Sequence, residues 1–187
     1  MSFYPTERTA VFIDGANLYH TMKELGWDLD FGLISGYFAK QSLLMRPYYF
    51  TALRDEGGDP VVKLASWLRS NGYSVISKPL KTQSNHSAGT YHLKGNMDVE
   101  ITVYMIGIAQ HVDHLVLFSG DGDFSFLIER LQDMGKRVTV VSTLRSKNKV
   151  CADDLRRQAD FFLDLEDLNK FFNRDAVART KAAIAKA

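Results

Sequence analysis

A three-layer α/β/α sandwich around a central, mostly parallel sheet, with strand order 3-2-1-4-5, is the fold this sequence predicts. Two observations carry the prediction. Runs that are apolar along nearly their whole length, "TAVFID" (9–14) and "HLVLFSG" (114–120), alternate with segments of helical spacing. Such runs belong to parallel strands covered on both faces, and right-handed crossovers then wind helices over both sides of the sheet. A third observation locates a site. Asp14 ends the first run and Asp121 follows the second, and in doubly wound sheets ligands lie beyond the carboxyl ends of the strands, where strand order reverses.

The first strand leads into "NLYHTMKELG" (17–26), a helix that Gly26 ends. "LDFGLISGYFAKQ" (29–41) has helical spacing and precedes "RPYYFTAL" (46–53), a β-rich run. In "GGDPVVKLASWLRSNGY" (57–73), Asp59 is an N-cap, Pro60 sits in the first turn and Asn71-Gly72 closes the helix. "YSVISKPL" (73–80) is the third strand, and residues 81–95, rich in Ser, Asn, Gly and Thr, read as a polar loop. "NMDVEITVYMIGIAQHV" (96–112) is a largely buried helix. After the fourth strand, "FSFLIERLQDMG" (124–135) is a helix ended by Gly135, and "KRVTVVST" (136–143) is the fifth strand. "CADDLRRQADFFLDLEDLNKFF" (151–172) holds a helix, a candidate short strand at Phe161–Leu163 and a last helix. Residues 1–170 form one domain in this reading. Residues 171–187 form a basic, alanine-rich tail, helical or frayed.

With 187 residues, 45% of them hydrophobic, the chain can bury a continuous core without covalent staples. Its single cysteine, Cys151, excludes an internal disulfide and a cysteine-cluster zinc site. The start "MSFYPTERT" lacks a secretory signal and no apolar run approaches a membrane span, so a cytoplasmic location is expected. A net charge of +1 gives no global field for nucleic acid, leaving only local basic patches: "LRSKNK" (144–149), residues 77–95 and the tail. Phe171 and Phe172 can pack on the domain or on a second copy, which leaves homo-oligomerisation open.

The acids are the informative feature. "SGDGDF" supplies Asp121 and Asp123, "FIDGAN" supplies Asp14, and "KGNMDVEI" puts Asp98 in the first turn of its helix, at the edge where strands finish. Taken singly, each has an ordinary explanation: Asp14, Asp121 or Asp123 as a helix cap, with Asp123 the foremost candidate, and Asp98 as a complement to a helix dipole. Taken together they carry a cost. Two carboxylates ~5 Å apart repel by roughly 3 kcal/mol at an effective dielectric of ~20, and three mutual pairs by roughly 10. Against a domain stability of ~5–15 kcal/mol, such a cluster must take up protons, pair with Lys or Arg, or hold a cation. All-oxygen donors suit a hard divalent ion such as Mg²⁺. A calcium loop at "DGD" is excluded because its further ligands are absent in register.

The blocks "FIDGANLY", "KGNMDVEI" and "SGDGDFSFLIERLQDMGKRVTVV" resemble the NYN domain family, a branch of the PIN-like ribonucleases, in family order and spacing across residues 8–165. The resemblance implies an endonuclease acting on RNA with Mg²⁺ or Mn²⁺. Carried over by position, Asp14, Asp98 and Asp121 are its metal ligands, and Asp123 binds the metal through water or orients it. Asn17 lies near the scissile phosphate and Ser119 is a phosphate contact or a support behind the ligands. Gly122 departs from the family, most of whose members carry Ser there, and costs one hydroxyl.

On the residues themselves, Lys94, Arg145, Lys147 and Lys149, with Lys78 or Lys81, lie on loops leaving the same edge, where they can meet the phosphates of a single strand or simply be solvated. Tyr91 and His92 can stack on a base or pack the loop, while His20, Trp27 and Trp67 read as structural. The competing function is a catalytically silent RNA-binding or protein-interaction module on the same fold. A phosphohydrolase of haloacid dehalogenase type, suggested by "FIDG", needs a second acid where this chain has Ala16. A receiver domain fails because its acids sit on other strands.

Overall fold

The computed structural model describes residues 3–53, 59–85, 90–94 and 96–184. Six parallel strands form the sheet: β1 (Arg8–Asp14), β2 (Leu43–Leu53), β3 (Ser74–Pro79), β6 (His114–Phe118), β7 (Arg137–Ser142) and β8 (Phe161–Asp164). Their order is β3-β2-β1-β6-β7-β8. The expected order is therefore observed, extended by the short strand at 161–164 as a sixth member. Between Pro79 and Asp98 the structure departs from the expected loop. Lys81–Asn85 (β4) and Thr90–Lys94 (β5) pair antiparallel as a two-stranded ribbon apart from the main sheet.

Alternation along the strands builds two cores. Ala10 and Phe12 of β1, Leu115 and Leu117 of β6, and Val138 and Val140 of β7 face one side. They pack against α4 (Asp98–Ala109), α5 (Ser125–Asp133) and α6 (Asp153–Gln158) through Ile101, Met105, Ile128, Leu131 and Leu155. The neighbouring positions Val11, Ile13, Val116 and Phe118 face the other side. There α1 (Gly15–Leu25), α2 (Phe31–Ala39), α3 (Pro60–Ser70) and α7 (Leu165–Phe172) supply Leu18, Met22, Ile34, Phe38, Leu68 and Leu168. Phe172 is fully buried, with ring centroids 6.4 Å from Phe38 and 6.3 Å from Phe118, so it packs on its own domain. The chain continues as α8 (Arg174–Ile184), a helix where the sequence allowed either a helix or a frayed end. The local signals work as expected: Asp59 accepts the Val61 N–H at 2.8 Å, and Gly26, Gly72 and Gly135 take positive φ where helices end.

At the opposite edge of the sheet, His114 is wholly buried. Its Nε2 lies 2.7 Å from the Thr139 hydroxyl, Nδ1 lies 3.4 Å from an Arg137 nitrogen, and the ring stacks on Phe3. Burial, helped by the Arg137 charge, pushes its pKa down to about 4. Glu7 is 3.6 Å away, but it is already paired with Arg137. The unfolded chain therefore takes a proton near pH 6.5 that the folded chain refuses until about pH 4. Stability contributed by the neutral ring is present above pH 6.5 and is lost on acidification across that window, by about 3 kcal/mol. Urea unfolding of the parent and of His114→Leu at pH 7.5 and 4.5 checks this: the parent should lose more stability than the variant, and equal losses would refute it.

Candidate metal centre

β1 and β6 are neighbours at the switch point, in register from Thr9↔His114 to Ile13↔Phe118, so Asp14 and the 119–123 turn emerge side by side. Both turns are closed by the acids. Oδ1 of Asp14 accepts the N–H groups of Ala16 and Asn17, each at 3.2 Å, capping α1. Its Oδ2 accepts the Ser119 hydroxyl at 3.2 Å, and Ser119 Oγ in turn accepts the Asp121 N–H at 3.2 Å. Asn17 Oδ1 accepts the Gly120 N–H at 2.9 Å, tying the first turn of α1 to the loop after β6. Asp121 caps the single 3-10 turn Gly122–Phe124 by accepting the Asp123 N–H at 3.0 Å. Asp123 caps no helix among the described residues: α5 starts at Ser125, after Phe124, without a side-chain cap. The cap that the ordinary explanation assigned first to Asp123 is made by Asp121, and the Asp123 carboxylate belongs to the acidic group.

Asp98 comes from the other side of the cleft. Its N–H donates to Asn96 Oδ1 at 2.7 Å, and the Asn96 amide closes back onto the Asp98 carboxylate. Asn96, which orients Asp98, has no role in the sequence reading, although its place two residues before an acid is the signal of such a turn. Carboxylate oxygens of Asp98, Asp121 and Asp123 lie within 4.8 Å of one another. Asp14 stands behind this group, 7% exposed, with both oxygens engaged.

Electrostatics agree with the crowding. Burial pushes the Asp14 carboxyl above its ordinary range, the Asn17 N–H and the Ser119 hydroxyl pull it back, and the charge of Asp98 adds to the rise. Asp98 is likewise raised, chiefly by burial, with the Asn96 amide opposing and the charges of Asp121 and Asp123 reinforcing. Among the described residues no lysine or arginine forms an ion pair with any of these four acids.

The basic residues are differently placed. Lys78 is held by Glu100 at 2.8 Å, Arg145 by Asp164 at 3.2 Å and Asp167 at 2.6 Å, and Lys149 by Asp153 at 2.8 Å. Lys147 has no ionic partner among the described residues. The side chains of Lys94, Lys81, Tyr91 and His92 lie outside the described residues. Two adjoining grooves of about 530 Å³ each share Lys149, Cys151 and Asp153, and the first of them reaches Asp121. Their walls add Arg157 and Arg156. Both arginines lie in "DDLRRQ", which the sequence shows only as one turn of a helix.

The fit to a divalent ion can be tested on the donor set. All three clustered groups offer anionic oxygen. Octahedral ligands at ~2.1 Å stand ~3 to 4.2 Å apart, so the observed 4.8 Å limit closes with a small side-chain rotation. The residues fit.

A wholly parallel sheet with acids gathered at its carboxyl edge, beside the reversal of strand order, has the architecture expected of the PIN-like class. The chain belongs to the NYN domain family, a ribonuclease-like group whose model matches residues 8–166. It is 36% identical over 177 residues to the low amplitude and bright protein LabA of Synechococcus elongatus, covering 93% of this chain and 91% of that one. A solved protein of unknown function from Vibrio parahaemolyticus superposes with a TM-score of 0.73 at 28% identity, over 92% of this chain and 99% of the other.

Proposed function

We propose that this protein is a metal-dependent endoribonuclease that hydrolyses phosphodiester bonds of single-stranded RNA. One observation carries the reading. Asp98, Asp121 and Asp123 converge within 4.8 Å with no ion pair to Lys or Arg among the described residues, an arrangement that a divalent cation relieves. Family membership supports the nucleic-acid substrate.

In this reading Asp98, Asp121 and Asp123 hold Mg²⁺ or Mn²⁺. A divalent ion there supplies Lewis acidity toward the phosphodiester and neutralises charge gathering on phosphorus. Asp14 acts on the group from behind: through Ser119 it fixes the Asp121 backbone, and its own charge bears on Asp98. Asn17 locks Gly120 and thereby the direction in which Asp121 leaves the strand. Lys147, with Arg156 and Arg157 along the grooves, meets the phosphates on one side. Arg145 and Lys149 must first give up carboxylate partners, which makes binding weak and steeply salt-dependent. Lys94 is assigned to the same strand path by its position at the end of β5.

The test is cleavage of a fluorescent single-stranded RNA by the purified chain. Cutting should need Mn²⁺ or Mg²⁺, stop with EDTA and resume when metal is restored. RNA that binds but is never cut under any divalent metal would leave the silent RNA-binding module as the function.

A further inference from the structure

Beside Asp14 the second core is not closed. A cavity of about 150 Å³ lies between α1, β2 and the segment entering α2. Its walls are almost entirely ring and aliphatic: Tyr19, Trp27, Phe31 and Tyr49, with Leu18 and Met22. Gly15, the residue that follows Asp14, completes the wall, so the cavity lies beside the carboxyl end of β1. Gly15 is required here by close approach: a Cβ would meet the Phe50 carbonyl oxygen at 2.6 Å and the Tyr49 ring tip and hydroxyl at 2.7 Å, so a larger residue would displace Tyr49 from the cavity wall.

Tyr49 supplies the independent sign of a ligand. Its side chain is 5% exposed, and its hydroxyl has no hydrogen-bond partner among the described residues. The oxygen itself is not sealed off, so a polar group entering the cavity can pair with it. At the rim, Tyr19 is 60% exposed and carries Lys23 Nζ 5.3 Å from its ring centroid, an aromatic face beside a cation. The volume sets the size of the guest: an apolar cavity of ~150 Å³ holds one six-membered ring. Flat faces, one hydroxyl able to donate or accept, and a cation at the mouth are the chemistry of a nucleobase joined to a phosphate.

We infer that this cavity is a base pocket that takes one unpaired pyrimidine of the strand whose backbone crosses the acidic cleft. The inference rests on the nuclease reading and names a determinant of its substrate. Trp27 becomes a ligand contact where the sequence suggested packing alone. The Tyr49 hydroxyl meets a polar edge of the ring, and Lys23 meets the phosphate beside it.

The test uses the full chain carrying Trp67→Phe, which leaves Trp27 as the sole tryptophan, in EDTA so that no strand is cut. A short uridine strand should change Trp27 emission and saturate. The same strand with abasic sites should bind about tenfold more weakly, free uridine monophosphate at least tenfold more weakly, and Tyr49→Phe should weaken the uridine strand about threefold to tenfold. Equal binding of the abasic strand, or no response from Trp27, overturns the pocket. Free nucleotide binding as tightly as the strand overturns its role in strand recognition. The two readings fail separately. RNA cut normally while Trp27 stays silent removes the pocket and keeps the nuclease, whereas a saturable Trp27 response in a chain that never cleaves does the reverse.

Discussion

Asp121→Asn should lower metal-dependent cleavage by about a thousandfold, from loss of roughly 4 kcal/mol of transition-state stabilisation, while the fold stays intact. The two parts of the claim have separate causes. Asparagine retains an oxygen to accept the Asp123 N–H, and asparagine caps as well as aspartate, so the 3-10 turn keeps its closing bond. The Ser119 contact is made to the Asp121 backbone and is indifferent to the side chain. The change removes one of three converging charges. Metal-free variant protein should then be more stable than the parent by about 1–3 kcal/mol, the repulsion no longer present. Added Mn²⁺ should reverse the ranking, because saturation at a hundred times the dissociation constant stabilises the parent by ~2.7 kcal/mol and the variant hardly at all. Melting curves with and without Mn²⁺, run beside the cleavage assay, check both halves. Cleavage equal to the parent's would attribute the activity to a contaminant, and a parent insensitive to Mn²⁺ would remove the metal reading.

How much of this was legible beforehand varies with the range of the interaction. Strands β1 and β6 were plain because both their faces are buried, and a five-residue run such as His114–Phe118 has nowhere else to go. That the ends of β1 and β6 lie side by side followed from topology alone, since adjacent parallel strands deliver their ends to one place, but that Asp123 and not Asp14 stands with Asp98 and Asp121 was not legible. Asp98 followed from the rule that helices begin where strands finish. The β4–β5 ribbon was illegible because "KTQSN" and "TYHLK" carry no core pattern and are held by pairing with each other. Which acid caps was illegible too, since Asp121 and Asp123 stand two residues apart before the same helix and only the backbone path decides. Arg145 could not be known to be paired, because Asp164 and Asp167 reach it only once β8 lies beside β7. The cavity beside Gly15 depends on five segments packing imperfectly, and no sequence pattern encodes a void.

Gly120→Ala should cost the fold about 2–4 kcal/mol, at or beyond the usual range for overpacking, and disperse the acidic cluster with it. The glycine is there for closeness and not for backbone freedom. A Cβ at this position would lie 1.8 Å from the Val150 carbonyl oxygen and 2.9 Å from the Cys151 Cα, both main-chain atoms that cannot rotate away. Nor can the peptide itself retreat. Its N–H donates to Asn17 at 2.9 Å on one side, and its carbonyl accepts the Ala152 N–H at 2.9 Å on the other. Relief therefore requires moving the 150–152 segment or releasing Asn17, and either displaces Asp121, the next residue. Gly36→Ala is the matched control: it sits inside α2 with nothing within 4 Å of its added Cβ, and should stabilise the chain by about 0.5–1 kcal/mol. Urea midpoints should move in opposite directions for the two variants, and the stabilisation by Mn²⁺ should survive only in Gly36→Ala. A Gly120→Ala chain with the parent's midpoint and the parent's response to Mn²⁺ would mean that the turn after β6 yields without strain, and that the acids are not held by the clamp between Asn17 and Ala152.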